Sequence, residues 1–303
     1  MELGMIGLGK MGGFMVERLV RGGHRIIGLD RDPAAVARVV EKGATGAESI
    51  DKLIGQLKAP RAIWIMVPSG KPVDDTIDQL LPHLSPGDAI IDGGNSYYRD
   101  SVRRGAALAP KKINFVDCGT SGGVWGLTEG YSMMVGGDAE VVKRLAPIFQ
   151  TLAPGPEKGW GRVGPTGAGH YVKMVHNGIE YAIMQAYAEG LDLFRHKTEF
   201  GLDLLQITKI WQYGSVVRSW LLDLTVDALS KNPTLDGIEA FVTDSGEGRW
   251  TAMEGIEHGV PLPALTGALD ARFRSQDPQP FANRLLAMMR HEFGGHAVKT
   301  ATK

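Results

Sequence analysis

Five polar side chains stand close together near the middle of the chain: Lys173, His176, Asn177, Glu180 and Tyr181, in the run Val-Lys-Met-Val-His-Asn-Gly-Ile-Glu-Tyr. A lysine serves as a general base when its pKa is lowered, and a carboxylic acid serves as a proton donor when its pKa is raised. The run lies in a proline-free stretch, about 168–194, with a helical spacing of apolar residues. At 3.6 residues per turn the five side chains fall in one sector, and Lys173 and Glu180 lie about 10 Å apart along the axis. Val172, Val175, Ile179, Ala182, Ile183 and Ala186 fall in the opposite sector, which suits core packing. Lys173 and Glu180 are seven apart, not the three or four that support an ion pair on a solvated face. Gly178 costs about 1 kcal/mol relative to alanine in mid-helix. The expectation is therefore that a bound molecule approaches this face, with Asn177 as a contact.

A helix of this kind needs a scaffold, and the first half of the chain supplies one. Short apolar runs at Leu3–Ile6, Arg25–Asp30, Ala62–Val67, Ala89–Asp92, Asn114–Asp117 and Ser132–Val135 alternate with helical patterns such as Gly12–Arg21 and Pro33–Lys42. That alternation predicts parallel βαβ units in an α/β Rossmann-type doubly wound sheet. Beyond Gly155 the apolar spacing is mainly helical, including Leu202–Tyr213, Gly237–Val242 and Pro263–Gln276. The reading is a dinucleotide-binding domain over 1–163 followed by an all-α substrate and oligomerisation domain over 164–303.

Gly7-Leu8-Gly9-Lys10-Met11-Gly12 sits between the first strand and the first helix. In that position the glycines allow a tight turn, close approach of a pyrophosphate and close packing of helix on strand. The helix-start amides then face the phosphates. Asp30 ends the next strand, where a carboxylate bonds the ribose 2′-hydroxyl and repels a 2′-phosphate. This favours NAD, while Arg31 beside it leaves some use of NADP open.

Composition excludes several other classes. The chain of 303 residues has 33 Lys plus Arg against 34 Asp plus Glu, a net charge of −1, which argues against a general nucleic-acid or membrane-surface binder. The single cysteine, Cys118, permits no internal disulfide, and no metal-ligand cluster stands out. No apolar run reaches the roughly 18 residues of a membrane span. A soluble, cytoplasmic protein with a small-molecule substrate is expected.

His170-Tyr-Val-Lys173-Met-Val-His176-Asn177-Gly-Ile-Glu180-Tyr181 resembles the signature of the decarboxylating 6-phosphogluconate dehydrogenases, within the β-hydroxyacid dehydrogenase superfamily. The likeness extends to the glycine turn at 7–12, Asp92-Gly-Gly-Asn95-Ser96, Ser121-Gly122-Gly123, Arg249-Trp250-Thr251, Ala271-Arg272 and the tail Arg290-His-Glu-Phe-Gly-Gly-His296. The resemblance implies a mechanism. Lys173 takes the proton of the C3 hydroxyl during oxidation, the resulting β-keto acid loses CO2, and Glu180 protonates C1 of the enediol to give ribulose 5-phosphate. No metal is implied, because the new carbonyl is the electron sink.

The resemblance also implies a cofactor set of Gly7, Gly9, Lys10, Met11, Gly12, Asp30, Arg31, Val67 and Asn95. Asn95, Ser121, Gly122, Gly123, His176 and Asn177 would hold the carboxylate and hydroxyls, and Tyr181, Arg272 and Arg290 the phosphate. Arg290 and His296 would come from a neighbouring subunit of a dimer or tetramer. Two departures stand out. The chain resembles a short form without the second helical repeat, and the loop Asp244–Arg249 lacks the lysine that longer relatives place there, leaving Arg249 to compensate. Two other readings fit parts of the same pattern. A β-hydroxyacid dehydrogenase for a small unphosphorylated acid, of the 3-hydroxyisobutyrate type, needs Lys173 and Asn177 but not Glu180, Arg272 or Arg290. A non-catalytic NAD-binding redox sensor needs only the first domain.

Overall fold

The computed structural model describes residues 1–300. The chain divides into two compact units, with the division between His176 and Asn177. In the first unit β1 (Glu2–Ile6), α1 (Lys10–Arg21), β2 (Arg25–Leu29), α2 (Pro33–Val40), β3 (Thr45–Gly46), α3 (Ile50–Gly55), β4 (Ala62–Ile65), α4 (Lys71–Leu80), β5 (Ala89–Asp92) and α5 (Tyr98–Leu108) alternate. They are followed by β6 (Asn114–Ser121), α6 (Gly126–Glu129), β7 (Ser132–Gly136), α7 (Ala139–Leu152) and β8 (Trp160–Gly164). The long helix α8 (Ala168–His196) runs from the first unit into the second.

The strands form one sheet in the order β3-β2-β1-β4-β5-β6-β7-β8. The pairs from β3 to β6 are parallel, with a reversal of strand order between β1 and β4, as expected for a doubly wound fold. β4 and β5 are buried along their whole length, as apolar runs in a sheet covered on both faces must be. One core cluster includes Leu3, Met5, Trp64, Ile91 and Phe149, and a second includes Ile27, Ile63, Ile65, Ile90 and Leu80.

The sheet departs from the sequence reading at its far edge. β7 is antiparallel to β6, and β8 pairs parallel with β7. β8 falls in a stretch dense in glycine and proline, so its Trp-Gly-Arg-Val-Gly sequence gives almost no strand signal.

The second unit is helical: the remainder of α8, then α9 (Leu204–Trp211), α10 (Trp220–Lys231), α11 (Glu247–Glu257), α12 (Pro263–Ser275) and α13 (Phe281–Gly294). The helix expected over Gly237–Val242 is absent; the chain there is irregular. Leu235 and Gly237 both take left-handed backbone angles, which interrupts a right-handed helix. Side chains at the end of α12 hold the backbone of this segment: Ser275 Oγ accepts from Val242 N at 2.9 Å, and Gln276 Nε2, just past the helix, donates to the Val242 carbonyl at 2.7 Å. Among the described residues no helix is long and apolar enough to cross a membrane.

Candidate active site

The glycine turn joins β1 to α1 at the point where the strand order reverses. Gly7 has φ +94°, and a Cβ there would lie 2.4 Å from the Met66 carbonyl oxygen. A Cβ on Gly12 would lie 2.0 Å from the Gly7 carbonyl oxygen, so the helix start can lie on the turn only as glycine. Gly9, by contrast, faces open space. A pyrophosphate fits such a cradle, with Gly9 allowing its approach and the first amides of α1 facing it. Lys10 and Arg31 are exposed, while Met11 and Val67 are half-buried.

Asp30 follows β2, and both its oxygens are engaged. Oδ2 accepts from Leu8 N of the glycine turn at 2.6 Å, and Oδ1 accepts from Asp32 N at 2.9 Å. The carboxylate is thereby fixed beside the turn instead of swinging in solvent.

Asn95 is exposed on the loop after β5, and a buried network fixes that loop. Asp92 accepts from Gly94 N at 3.1 Å and from Ser96 Oγ at 2.8 Å. Arg104, buried on α5, donates to Asp92 Oδ2 at 3.4 Å, to Asp74 Oδ1 at 2.8 Å and to the Gly70 carbonyl at 3.0 Å. Burial alone would raise the Asp74 pKa, but hydrogen bonds from Arg104 and Arg103 outweigh it and hold the carboxyl below its ordinary value. Sequence reasoning quoted Asp92 and Ser96 but missed Asp74 and Arg104. Their signal is weak, since charges on amphipathic helices ordinarily face water.

Ser121 ends β6, and Gly122 and Gly123 turn the chain into a short 3-10 segment. Lys173 is only 6% exposed. Its Nζ lies 3.4 Å from His176 Nδ1. Cys118, on β6, is fully buried, and desolvation pushes its thiol up to about 12, so it stays neutral and unreactive.

Tyr181 belongs to the second unit, where Arg249 and Arg272 join it. The Arg272 guanidinium carbon stands 3.4 Å from the Tyr181 ring centroid, and Nη1 donates to the Thr243 carbonyl at 2.7 Å. Tyr181 Oη is 2.9 Å from Ser245 Oγ, in the loop where the sequence reading gave a role to Arg249 alone, and Ser245 in turn donates to Glu247 at 2.6 Å. Arg249 pairs through Nε with buried Asp244 and lies 4.8 Å from the Phe273 ring centroid. Two guanidinium groups and two hydroxyls thus meet at one loop, where the carboxylates of Asp244 and Glu247 already engage Arg249 and Ser245. Arg290 is exposed on α13, and His296 folds back on that helix, its carbonyl 2.9 Å from His291 Nδ1.

Two features of α8 differ from expectation. A Cβ on Gly178 would lie 2.9 Å from Thr251 Cγ2 and 3.0 Å from Leu265 Cδ2, so the glycine makes room for α11 and α12, not for a ligand. The face read as core is open, with Ile179 49% and Ile183 38% exposed in the single chain.

A glycine turn at the switch point of a doubly wound sheet, an acid fixed beside it and a helical second unit define the class: a dinucleotide-binding dehydrogenase. Residues 2–163 match the family described as the NAD binding domain of 6-phosphogluconate dehydrogenase, and residues 169–300 match the 6-phosphogluconate dehydrogenase C-terminal domain. The chain belongs to the 6-phosphogluconate dehydrogenase family, and is thus an oxidoreductase using a nicotinamide dinucleotide. It is 43% identical over 299 residues to the NAD(+)-dependent, decarboxylating 6-phosphogluconate dehydrogenase of Haloferax volcanii, covering 98% of each chain. It is 40% identical to the decarboxylating enzyme of Candida albicans, covering 89% of this chain and 55% of that one. The 6-phosphogluconate dehydrogenase structure of Plasmodium falciparum superposes with a TM-score of 0.84 at 29% identity, over 100% of this chain and 67% of that one.

Proposed function

We propose that this protein oxidises and decarboxylates 6-phosphogluconate to ribulose 5-phosphate and CO2, with NAD as the preferred acceptor. The observation that carries the reading is Lys173, buried beside His176 on the helix that also bears Asn177 and Glu180. The dinucleotide, when bound, supplies the hydride acceptor; the glycine turn, Lys10, Met11, Arg31, Val67 and Asn95 would hold it.

Lys173 takes the proton of the C3 hydroxyl as that carbon is oxidised. The resulting ammonium returns that proton to the C3 oxygen as the bond to the carboxylate carbon breaks, so the electrons flow toward C3 and give an enediol. Glu180 delivers a proton to the former C2, which becomes C1 of the ketose. Asn95, Ser121, Gly122, Gly123, His176 and Asn177 orient the carboxylate and hydroxyls. Tyr181, Arg249 and Arg272 take the phosphate. NAD preference rests on Asp30, whose immobilised carboxylate would repel a 2′-phosphate.

The decisive experiment supplies purified protein with NAD and 6-phosphogluconate. NADH and CO2 should appear together in equal amounts. Turnover of 3-hydroxyisobutyrate or gluconate in place of 6-phosphogluconate would overturn the assignment.

We further infer that the working form is a homo-oligomer, a dimer or tetramer, with Arg290 and His296 reaching a neighbour's site. The open apolar face of α8 and the exposed Phe281, Leu286 and Phe293 on α13 support it, since monomers rarely leave such surface in water. Sedimentation should give a multiple of the chain mass, and Ile179→Asp should shift it toward the monomer. A monomeric, fully active wild type would refute this.

A further inference from the structure

The helix that bears Lys173 is not capped by its own sequence. α8 begins at Ala168, so the N-cap position is Gly167, whose carbonyl accepts the first helical bond from Tyr171 N at 3.0 Å. Glycine offers no side-chain oxygen for the orphan amides of a first turn. Asp117, fifty positions earlier on β6, supplies both: Oδ1 accepts from Gly167 N at 2.6 Å and Oδ2 from His170 N at 2.8 Å. Asp117 is fully buried, so its orientation is set by these bonds and by packing. A second anchor acts on the same turn, where the His170 ring places Nδ1 2.7 Å from Ser101 Oγ, both residues being buried.

The turn so held lies directly on the sheet. A Cβ on Gly169 would sit 2.4 Å from the Asp117 carbonyl oxygen and 2.5 Å from that of Met134. Two residues along β6 from Asp117, and so on the same face of the strand, stands Gly119. A Cβ there would lie 2.4 Å from Lys173 Cβ. The strand therefore touches the helix at successive turns, with the carboxylate at residue 170 and bare backbone at residue 173. The same strand ends in Ser121.

We propose that Asp117, seconded by Ser101, is a positioning residue for Lys173. Its carboxylate fixes the height and rotation of α8 on β6, and the Lys173 stem is thereby set over Gly119 at the strand end. Asp117 touches no substrate. Its effect passes through the helix, and a misplacement of about 1 Å is enough to cost on the order of 100-fold in rate. The consequence for turnover rests on the role proposed above for Lys173, whereas the placement of the side chain does not.

The test uses Asp117→Asn in the full chain. The amide keeps the shape but presents N–H to one of the two backbone donors. Competitive acetylation with acetic anhydride across a pH series, read by mass spectrometry, reports the reactivity of each lysine separately. The Lys173 profile should shift while those of Lys52 and Lys143 stay fixed. In parallel, kcat should fall by about 10- to 100-fold, with the Kd for NADH within about twofold of the wild type. An unchanged Lys173 profile overturns the proposal, even if Tm falls, because a merely structural cap would do that alone. A shifted profile in a protein that never turned over 6-phosphogluconate would sustain the positioning role and sink the functional reading. Should Asp117→Asn fail to fold, Ser101→Ala removes only the ring anchor. A smaller shift in the Lys173 profile is then expected, and no shift overturns the proposal.

Discussion

Replacing Arg104 with leucine tests the polar network that fixes the loop bearing Asn95. The guanidinium is 2% exposed and joins α4, the Gly70 turn and the end of β5. Leucine fills part of the volume but leaves Asp92 buried without its cation. Removing one partner of a buried ion pair costs about 3–5 kcal/mol. Ser96 and Gly94 still donate to Asp92, and Arg103 still pairs with Asp74 at 3.0 Å, so the low end, about 3 kcal/mol, is expected. Asp74 is a third exposed, so solvent screening limits its share to about 1 kcal/mol.

That share depends on pH with a definite sign. The Asp74 carboxyl is held below its ordinary 3.8 in the folded state. Its contribution is therefore complete above the unfolded value and disappears as pH falls through the folded one. The gap between wild type and Arg104→Leu should begin to narrow below about pH 4, by about 1 kcal/mol once the pH is below the folded value. Urea unfolding of both proteins at neutral and acid pH gives the gap directly. A loss under about 1 kcal/mol at neutral pH, or a gap that widens on acidification, refutes the reasoning. Arg104→Lys keeps the charge but cannot fork to three acceptors, so it should recover only part of the loss.

Gly178→Ala gains about 1 kcal/mol of helix propensity but meets Thr251 and Leu265, at an overpacking cost of about 1–3 kcal/mol. Calorimetry should show Tm unchanged or lowered by a few degrees; a higher Tm with a raised KM would restore the ligand explanation of this glycine. Lys173→Met should abolish oxidation, whereas Glu180→Gln should retain NADH formation and slow proton delivery to the enediol, seen as slowed solvent-deuterium incorporation into the product; full activity in either variant removes that residue from the mechanism. Asp30→Asn should lower the ratio of kcat/KM for NAD over NADP, and an unchanged ratio would place cofactor choice elsewhere.

Features written in contiguous residues were legible. The glycine turn, Asp30 and the alternating runs each depend on local backbone geometry, so the doubly wound sheet and its switch point follow from reading along the chain. Two kinds of feature were not. Asp117 sits in an apolar strand run, and the amides it accepts from lie at Gly167 and His170, so only the folded chain joins them. Arg104 likewise looks like an ordinary helical charge until Asp92 and Asp74 surround it. The second kind concerns α8. Its periodicity separates a Lys173 face from an Ile179 face but cannot say which of them meets the same chain. Lys173 is buried and Ile179 half-exposed, the reverse of the ordinary assignment for a helix on a single core. Lys173 is enclosed by its own helix and by β6, where Gly119 leaves room for its stem. The apolar face is left open among the described residues, and the oligomer proposed above would cover it.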